Sequence, residues 1–179
     1  MKPNIEMLIQ MAHSPLHNYV LPGMTSYLMG EPNNGTVRLF VNSRTQFEHI
    51  TPHSHRFDFQ CQVLRGEVIN IVFTGKGDGK GDRYLSTKMI YGGEPGHYVR
   101  QKDGVENWVS CRHRYGQGDW YSMRHDEVHS IVFSPDAVVL FFEGPQVSDS
   151  SIILEPWVNG EAVPTFKTEP WMFKKEQTK

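Results

Sequence analysis

From residue 24 to residue 154 the sequence is a succession of short runs in which apolar and polar residues alternate, set apart by turn-forming residues. A period of two puts successive side chains on opposite faces of a strand. The runs are expected as strands at 24–29, 36–41, 45–50, 58–65, 67–73, 83–91, 97–101, 105–114, 119–123, 128–133, 137–143 and 150–154. Pro32-Asn33-Asn34-Gly35, Gly75 to Gly81, Gly92-Gly93-Glu94-Pro95-Gly96 and Ser134-Pro135-Asp136 supply the turns between them. Many short strands joined this way predict an antiparallel sandwich or barrel. The helical exception is 4–12, where Ile5, Leu8, Ile9 and Ala12 recur at the spacing of a short amphipathic helix.

A chain of 179 residues suits a single domain. Its expected core spans about 36–143, with the helix and first strands at 1–35 and an extended C-terminal arm at 144–179. The arm carries Trp157, Trp171 and a basic end at Lys174 and Lys175, and is expected against the domain or a second subunit. Lys plus Arg number 18 against 20 Asp plus Glu, a formal charge of −2, which argues against a nucleic-acid partner. Cys61 and Cys111 are too few for a disulfide framework or a four-thiolate zinc site, and are expected as reduced thiols. The N-terminal stretch has neither signal-peptide nor membrane-span character, so a cytoplasmic protein without membrane contact is expected. GKGDGKGD at 75–82 lacks the order strand, G-x-x-x-x-G-K-[ST], helix of a phosphate loop and is expected as a solvated hairpin loop.

Nine histidines include the pair His53-Ser54-His55. On an extended segment i and i+2 project to one side, so two imidazoles can converge on one ion. The run 52–68 leads from this pair into an alternating strand, a turn at Gly66 and a second strand. About fifty residues on, GDWYSMRHDEVHSIVF (118–133) repeats the plan, with His129 opening a strand. With its two hairpin units, the chain resembles a cupin, the small double-stranded β-helix or jelly-roll superfamily. The first cupin motif is G-x5-H-x-H-x3–4-E-x6-G and the second G-x5-P-x-G-x2-H-x3-N. His53, His55 and Gly66 fall on the first; Gly118 and His129 fall on the second at the family's spacing. The sequence departs from the pattern where the first-motif Glu would stand, at Phe59 or Gln60. It departs again at Arg124, Asp126 and Phe133 in the second motif.

The resemblance implies an all-β jelly roll holding a divalent metal through His53, His55 and His129. Gln60 and Asp58 remain candidates for a fourth ligand, against a three-His site like that of the cysteine dioxygenase-like branch. Three neutral imidazoles leave open positions that suit Fe(II), with Zn, Mn, Ni or Cu as alternatives. Asp58, Asp126 and Glu127 are candidates to fix an imidazole tautomer. Arg38, Arg112, Arg114 and Arg124 are candidates to clamp a carboxylate or phosphate. His125 and Tyr121 are the candidate catalytic side chains. The expected function is an iron-dependent oxygenase on a small polar or thiol-bearing metabolite. The alternatives are an isomerase or lyase on a sugar-like or phosphorylated substrate, and a non-catalytic ligand-binding module. A homodimer is expected from the resemblance and the aromatic tail.

Overall fold

The structure, a computed structural model, describes residues 4–17, 19, 23–31, 35–43, 50–76, 79–92 and 97–163. Two six-stranded antiparallel sheets face one another. The chain runs through α1 (Ile5–Met11), β1 (His13–His17), β2 (Met24–Gly30), β3 (Thr36–Asn42), β4 (Phe57–Arg65), β5 (Glu67–Lys76) and β6 (Asp82–Tyr91). It continues through β7 (Tyr98–Gly116), β8 (Trp120–Met123), β9 (Val128–Phe133), β10 (Val138–Gln146), β11 (Ser150–Val158) and β12 (Glu161–Ala162). One sheet has the order β1-β2-β3-β10-β4-β8, the other β12-β11-β6-β7-β5-β9. The chain changes sheet between β4 and β5, between β7 and β8, and at every connection from β8 to β11. This repeated crossing makes the fold a double-stranded β-helix, the form of antiparallel sandwich that the cupin resemblance implies.

The alternation decides which faces are buried. On β4, Phe59, Cys61 and Val63 are buried while Asp58 and Gln60 are exposed. The inner residues of β4 pack with Val68 of β5 and Ile131 and Phe133 of β9, so the main core lies between the sheets. The first sheet is covered on its outer face too. Ile5, Leu8 and Ile9 of α1 pack against Leu39, Leu64 and Val138. The helix is capped by Asn4, whose side-chain oxygen accepts from the Met7 N–H at 3.2 Å.

Several elements differ from expectation. His13–His17 forms β1 although Pro15 interrupts its pattern; at the sheet edge a proline costs no ladder bond. The expected strands at 97–101 and 105–114 are one strand, β7, whose pairing with β6 shifts register at Ser86/Thr87, opposite Gly104. Gly104 there has φ +121°, which a glycine adopts without strain. The segment expected as an arm is in sheet as far as Ala162: β11 pairs with β6 from Ser150 to Pro156, and Leu154 is fully buried. The expected strand at 45–50, apart from Ile50, and the arm beyond residue 163 lie outside the described residues.

Candidate metal centre

The His53 segment is short and lies between two strands. His53 N–H donates to His129 O at 2.8 Å and His129 N–H to His53 O at 2.9 Å. On its other side Ser54 N–H donates to Ile152 O at 2.9 Å, and Leu154 N–H to Pro52 O at 2.9 Å. The segment thus bridges β9 to β11 and is held along both edges. His55 N–H donates to His125 O at 3.0 Å, tying the pair to the β8–β9 turn.

These backbone ties bring His53, His55 and His129 together, with one ring nitrogen from each lying within 4.8 Å of the others. The side chains of His53 and His129 are buried and that of His55 nearly so. His53 Nδ1–H donates to Thr51 O at 2.8 Å, and His129 Nδ1–H donates to Asn70 Oδ1 at 2.7 Å. With Nδ1 engaged, each ring presents Nε2. His55 Nε2 lies 3.0 Å from His129 Nε2. Two imidazole nitrogens about 2.1 Å from a shared ion, at about 90° to one another, lie about 3.0 Å apart. That pair is therefore spaced to share a divalent ion, with a His53 ring nitrogen within 4.8 Å of both. Burial holds the pKa of His53 below the ordinary imidazole value, against a smaller opposing effect of its bond to Thr51. Burial, reinforced by the neighbouring imidazoles, holds His55 and His129 well below it. All three rings are thus neutral near pH 7, the form that binds metal.

No carboxylate joins this group among the described residues. The first-motif position holds Phe59, whose ring packs 4.7 Å from His55 and 5.5 Å from His129, centroid to centroid. Gln60 is exposed on the outer face of β4. Asp58 is exposed too. Its Oδ1 accepts from His125 N–H at 2.7 Å and lies 2.9 Å from His125 Nδ1. Both side chains point away from the imidazoles because they stand at the outward register of β4. These hydrogen bonds hold the Asp58 carboxyl below its ordinary range. Asp58 and His125 together clip the start of β4 to the β8–β9 turn, outside the cavity.

The remaining candidates separate clearly. Arg124 forms a two-pronged bond with Asp126, at 3.0 and 2.7 Å, on the surface, and its N–H donates to Glu127 Oε2 at 2.7 Å. Asp126 and Glu127 are thereby turn carboxylates that bind Arg124. Arg112 and Arg114 are exposed, and Arg114 pairs with Glu67 at 3.2 Å. Beyond Trp108, β7 pairs only with β5, and its residues 109–114 are exposed on both faces. Arg38 alone lies on the inner face, on the same side of β3 as Phe40, with its guanidinium 5.9 Å from the Tyr19 ring centroid. Tyr121 is buried in the wall beside the imidazoles. It faces Cys61 across the β4–β8 ladder, and burial pushes that thiol up to about 12.

The imidazoles open into a cavity of about 80 Å³, several times what one water needs. Its wall is overwhelmingly apolar, with Phe40, Phe57, Phe59 and Phe141 from the first sheet and Ile131 and Phe133 from the second. Such a wall suits a ligand with an apolar body rather than a purely polar metabolite. Asn70 and Glu143 were missed in the sequence, and Tyr19 was one of the tyrosines with no feature to single it out. Asn70 and Glu143 carried a signal. Each is the polar member of an inward register, Val68-Asn70-Val72 and Val139-Phe141-Glu143.

The bridging segment at 53–55 and strand β9 deliver three imidazoles into the interior of a two-sheet roll. The chain has the cupin fold. No protein-family model matches the chain, and no curated protein matches it significantly. Solved structures similar to it include KdgF from Halomonas sp., 16% identical, with a TM-score of 0.42 over 80% of this chain and 93% of that one. The cupin domain of CENP-C from Drosophila melanogaster is 11% identical, with a TM-score of 0.42 over 78% of this chain and 92% of that one. Hydroquinone 1,2-dioxygenase PnpCD, in complex with Cd2+ and 4-hydroxybenzonitrile, is 13% identical, with a TM-score of 0.39 over 66% of this chain. The chain spans 64% of that dioxygenase chain, less than two thirds of its length. Among the described residues no helix is long and apolar enough to cross a membrane.

Proposed function

We propose that this cupin is a metal-dependent oxygenase that holds Fe(II) through His53, His55 and His129 and acts on a small molecule with an apolar body. The supporting observation is the meeting of three neutral imidazoles, two with their tautomers set by Thr51 O and Asn70 Oδ1, inside an apolar cavity. An iron ion bound there would supply Lewis acidity and one-electron chemistry toward dioxygen. The neutral donor set leaves the ion's charge uncompensated, which favours a substrate with an anionic or anion-forming group. Phe57, Phe59 and Phe141 would bind the apolar body and exclude water. Tyr121, held protonated well above the ordinary phenol value by burial, serves as cavity wall.

An isomerase or lyase on a phosphorylated substrate would need a cation cluster, and the placement of Arg112, Arg114 and Arg124 on the surface speaks against that form of the reading. The test is anaerobic reconstitution with Fe(II), Mn(II), Ni(II) and Zn(II), followed by metal analysis and oxygen-uptake measurements. One equivalent of tightly held metal is expected in the parent protein, and loss of it in His53→Ala and His129→Ala. Substoichiometric metal that does not change in either variant would sink the reading.

A further inference from the structure

One charged side chain stands on the cavity's apolar wall. Glu143 ends the inward register of β10 after Val139 and Phe141 and lines the same cavity as the three imidazoles. Its Cα partner across the β10–β4 ladder is Phe59, the residue whose ring packs on His55 and His129. Partners in an antiparallel ladder lie about 5 Å apart, so Glu143 stands one strand over from the ring beneath the imidazoles. On its other side the Thr36 hydroxyl donates to Oε2 at 2.7 Å. That bond fixes the carboxylate while using one of its several acceptor positions.

At this end of the wall Thr36, Tyr19 and Arg38 are its polar neighbours. Tyr19, also in the cavity wall, is buried enough to raise its phenol above the ordinary value, and feels both the Arg38 and the Glu143 charge. The cavity thus has two poles, a ring of neutral nitrogens and a carboxylate group with Thr36 and Tyr19, joined by the aromatic surface of Phe59 and Phe141. Glu143 is partly exposed, and with one acceptor position taken by Thr36 it keeps others for a donor on a ligand. A ligand lying over Phe59 with one end at the imidazoles would bring its other end to Glu143.

We propose that Glu143 is the recognition residue for a hydrogen-bond-donating group, a hydroxyl or a protonated amine, carried on the ligand at the end opposite the imidazoles. The cavity's ligand is thus two-headed, with a ligating atom, a flat apolar body and a donor. The inference rests on the oxygenase reading only for what the first end meets.

The test uses three probes with one skeleton: p-cresol, 4-hydroxybenzyl alcohol and 4-hydroxybenzylamine. Each is titrated into the full chain by calorimetry, with and without bound metal. At least one of the two donor-bearing probes is expected to bind roughly tenfold tighter than p-cresol. The preferred probe then tells hydroxyl from ammonium. Glu143→Gln is expected to shrink the gap, most for the amine, and Thr36→Val to shrink it in part. Thermal melts confirm that both variants are folded. If the metal reading fails but this one holds, the gap persists without metal and remains sensitive to Glu143→Gln. Equal affinity for all three probes, or no binding of any, overturns the proposal. So does a Glu143→Gln variant that loses metal while keeping the gap, because the carboxylate would then be a metal ligand.

Discussion

At the scale of single residues, the centre depends on side chains that never touch the ion. Asn70 is buried on β5, accepts the His129 Nδ1–H at 2.7 Å, and gives its own amide N–H to Met123 Sδ at 3.2 Å. It fixes both the tautomer and the ring plane of His129. Replacing it with Leu keeps the volume but removes the acceptor. Asn70→Leu is expected to weaken metal affinity by about 10- to 100-fold, measured by competition with a chromophoric chelator. Asn70→Asp keeps an acceptor and is expected to retain most of the affinity. Equal affinity in Asn70→Leu and the parent chain would show that His129 is oriented by packing alone. His55 and His129 were legible because their spacing matches a motif. Asn70 was not, because its role depends on β5 pairing with β9, Val72 opposite His129.

Secondary-structure elements deliver the imidazoles through turns with little freedom. The β4–β5 turn at Gly66 has φ +73°, where a side chain is strained. A Cβ there would also lie 2.7 Å from Ser134 Oγ and 3.0 Å from Ala137 Cα. Ser134 Oγ in turn accepts the Glu67 N–H at 2.9 Å, so the clash would be felt in the β9–β10 turn. Gly66→Ala is expected to destabilise the fold by about 1–3 kcal/mol, read from chemical denaturation. An unchanged midpoint would mean that the turn relaxes freely. The spacing of Gly66 from the His pair foretold this turn. The inward register of β4 foretold less, because a four- or five-residue step from His55 allows either Phe59 or Gln60. Only the pairing of β4 with β10 and β8 puts Phe59 inside and Gln60 outside.

Across the whole molecule, three buried neutral imidazoles couple folding to pH. Their folded-state pKa values lie below the ordinary value of about 6.5, by burial first and by mutual repulsion for His55 and His129. Below about pH 6.5 the unfolded chain takes up protons that the folded chain refuses. The unfolded state then binds more protons, so stability falls as the pH falls and is unaffected above about 6.5. The slope for each imidazole is at most about 1.4 kcal/mol per pH unit. The metal-free chain is expected to show a level Tm from pH 8 to 7 and a decline from about 6.5 to 5. His55→Gln is expected to flatten that decline. Saturating Zn(II) or Fe(II) is expected to raise Tm at pH 7, since an ion at 100 times its Kd adds about 2.7 kcal/mol. A Tm that does not respond to metal at any pH would mean that no ion is held.

The local order of residues determined the all-β class, most of the strand positions, the amphipathic helix and the identity of the three imidazoles. Each of these follows from periods of two or 3.6 and from short motif spacings. Tertiary structure decided which side of each strand faces the cavity, and so removed Gln60, Asp58, Arg112, Arg114 and Arg124 from it. It also placed Asn70, Tyr19 and Glu143 in the site. The reason is that facing and neighbourhood depend on pairing between residues far apart in the chain. His53 meets His129 and Thr36 meets Glu143 only once the sheets have closed.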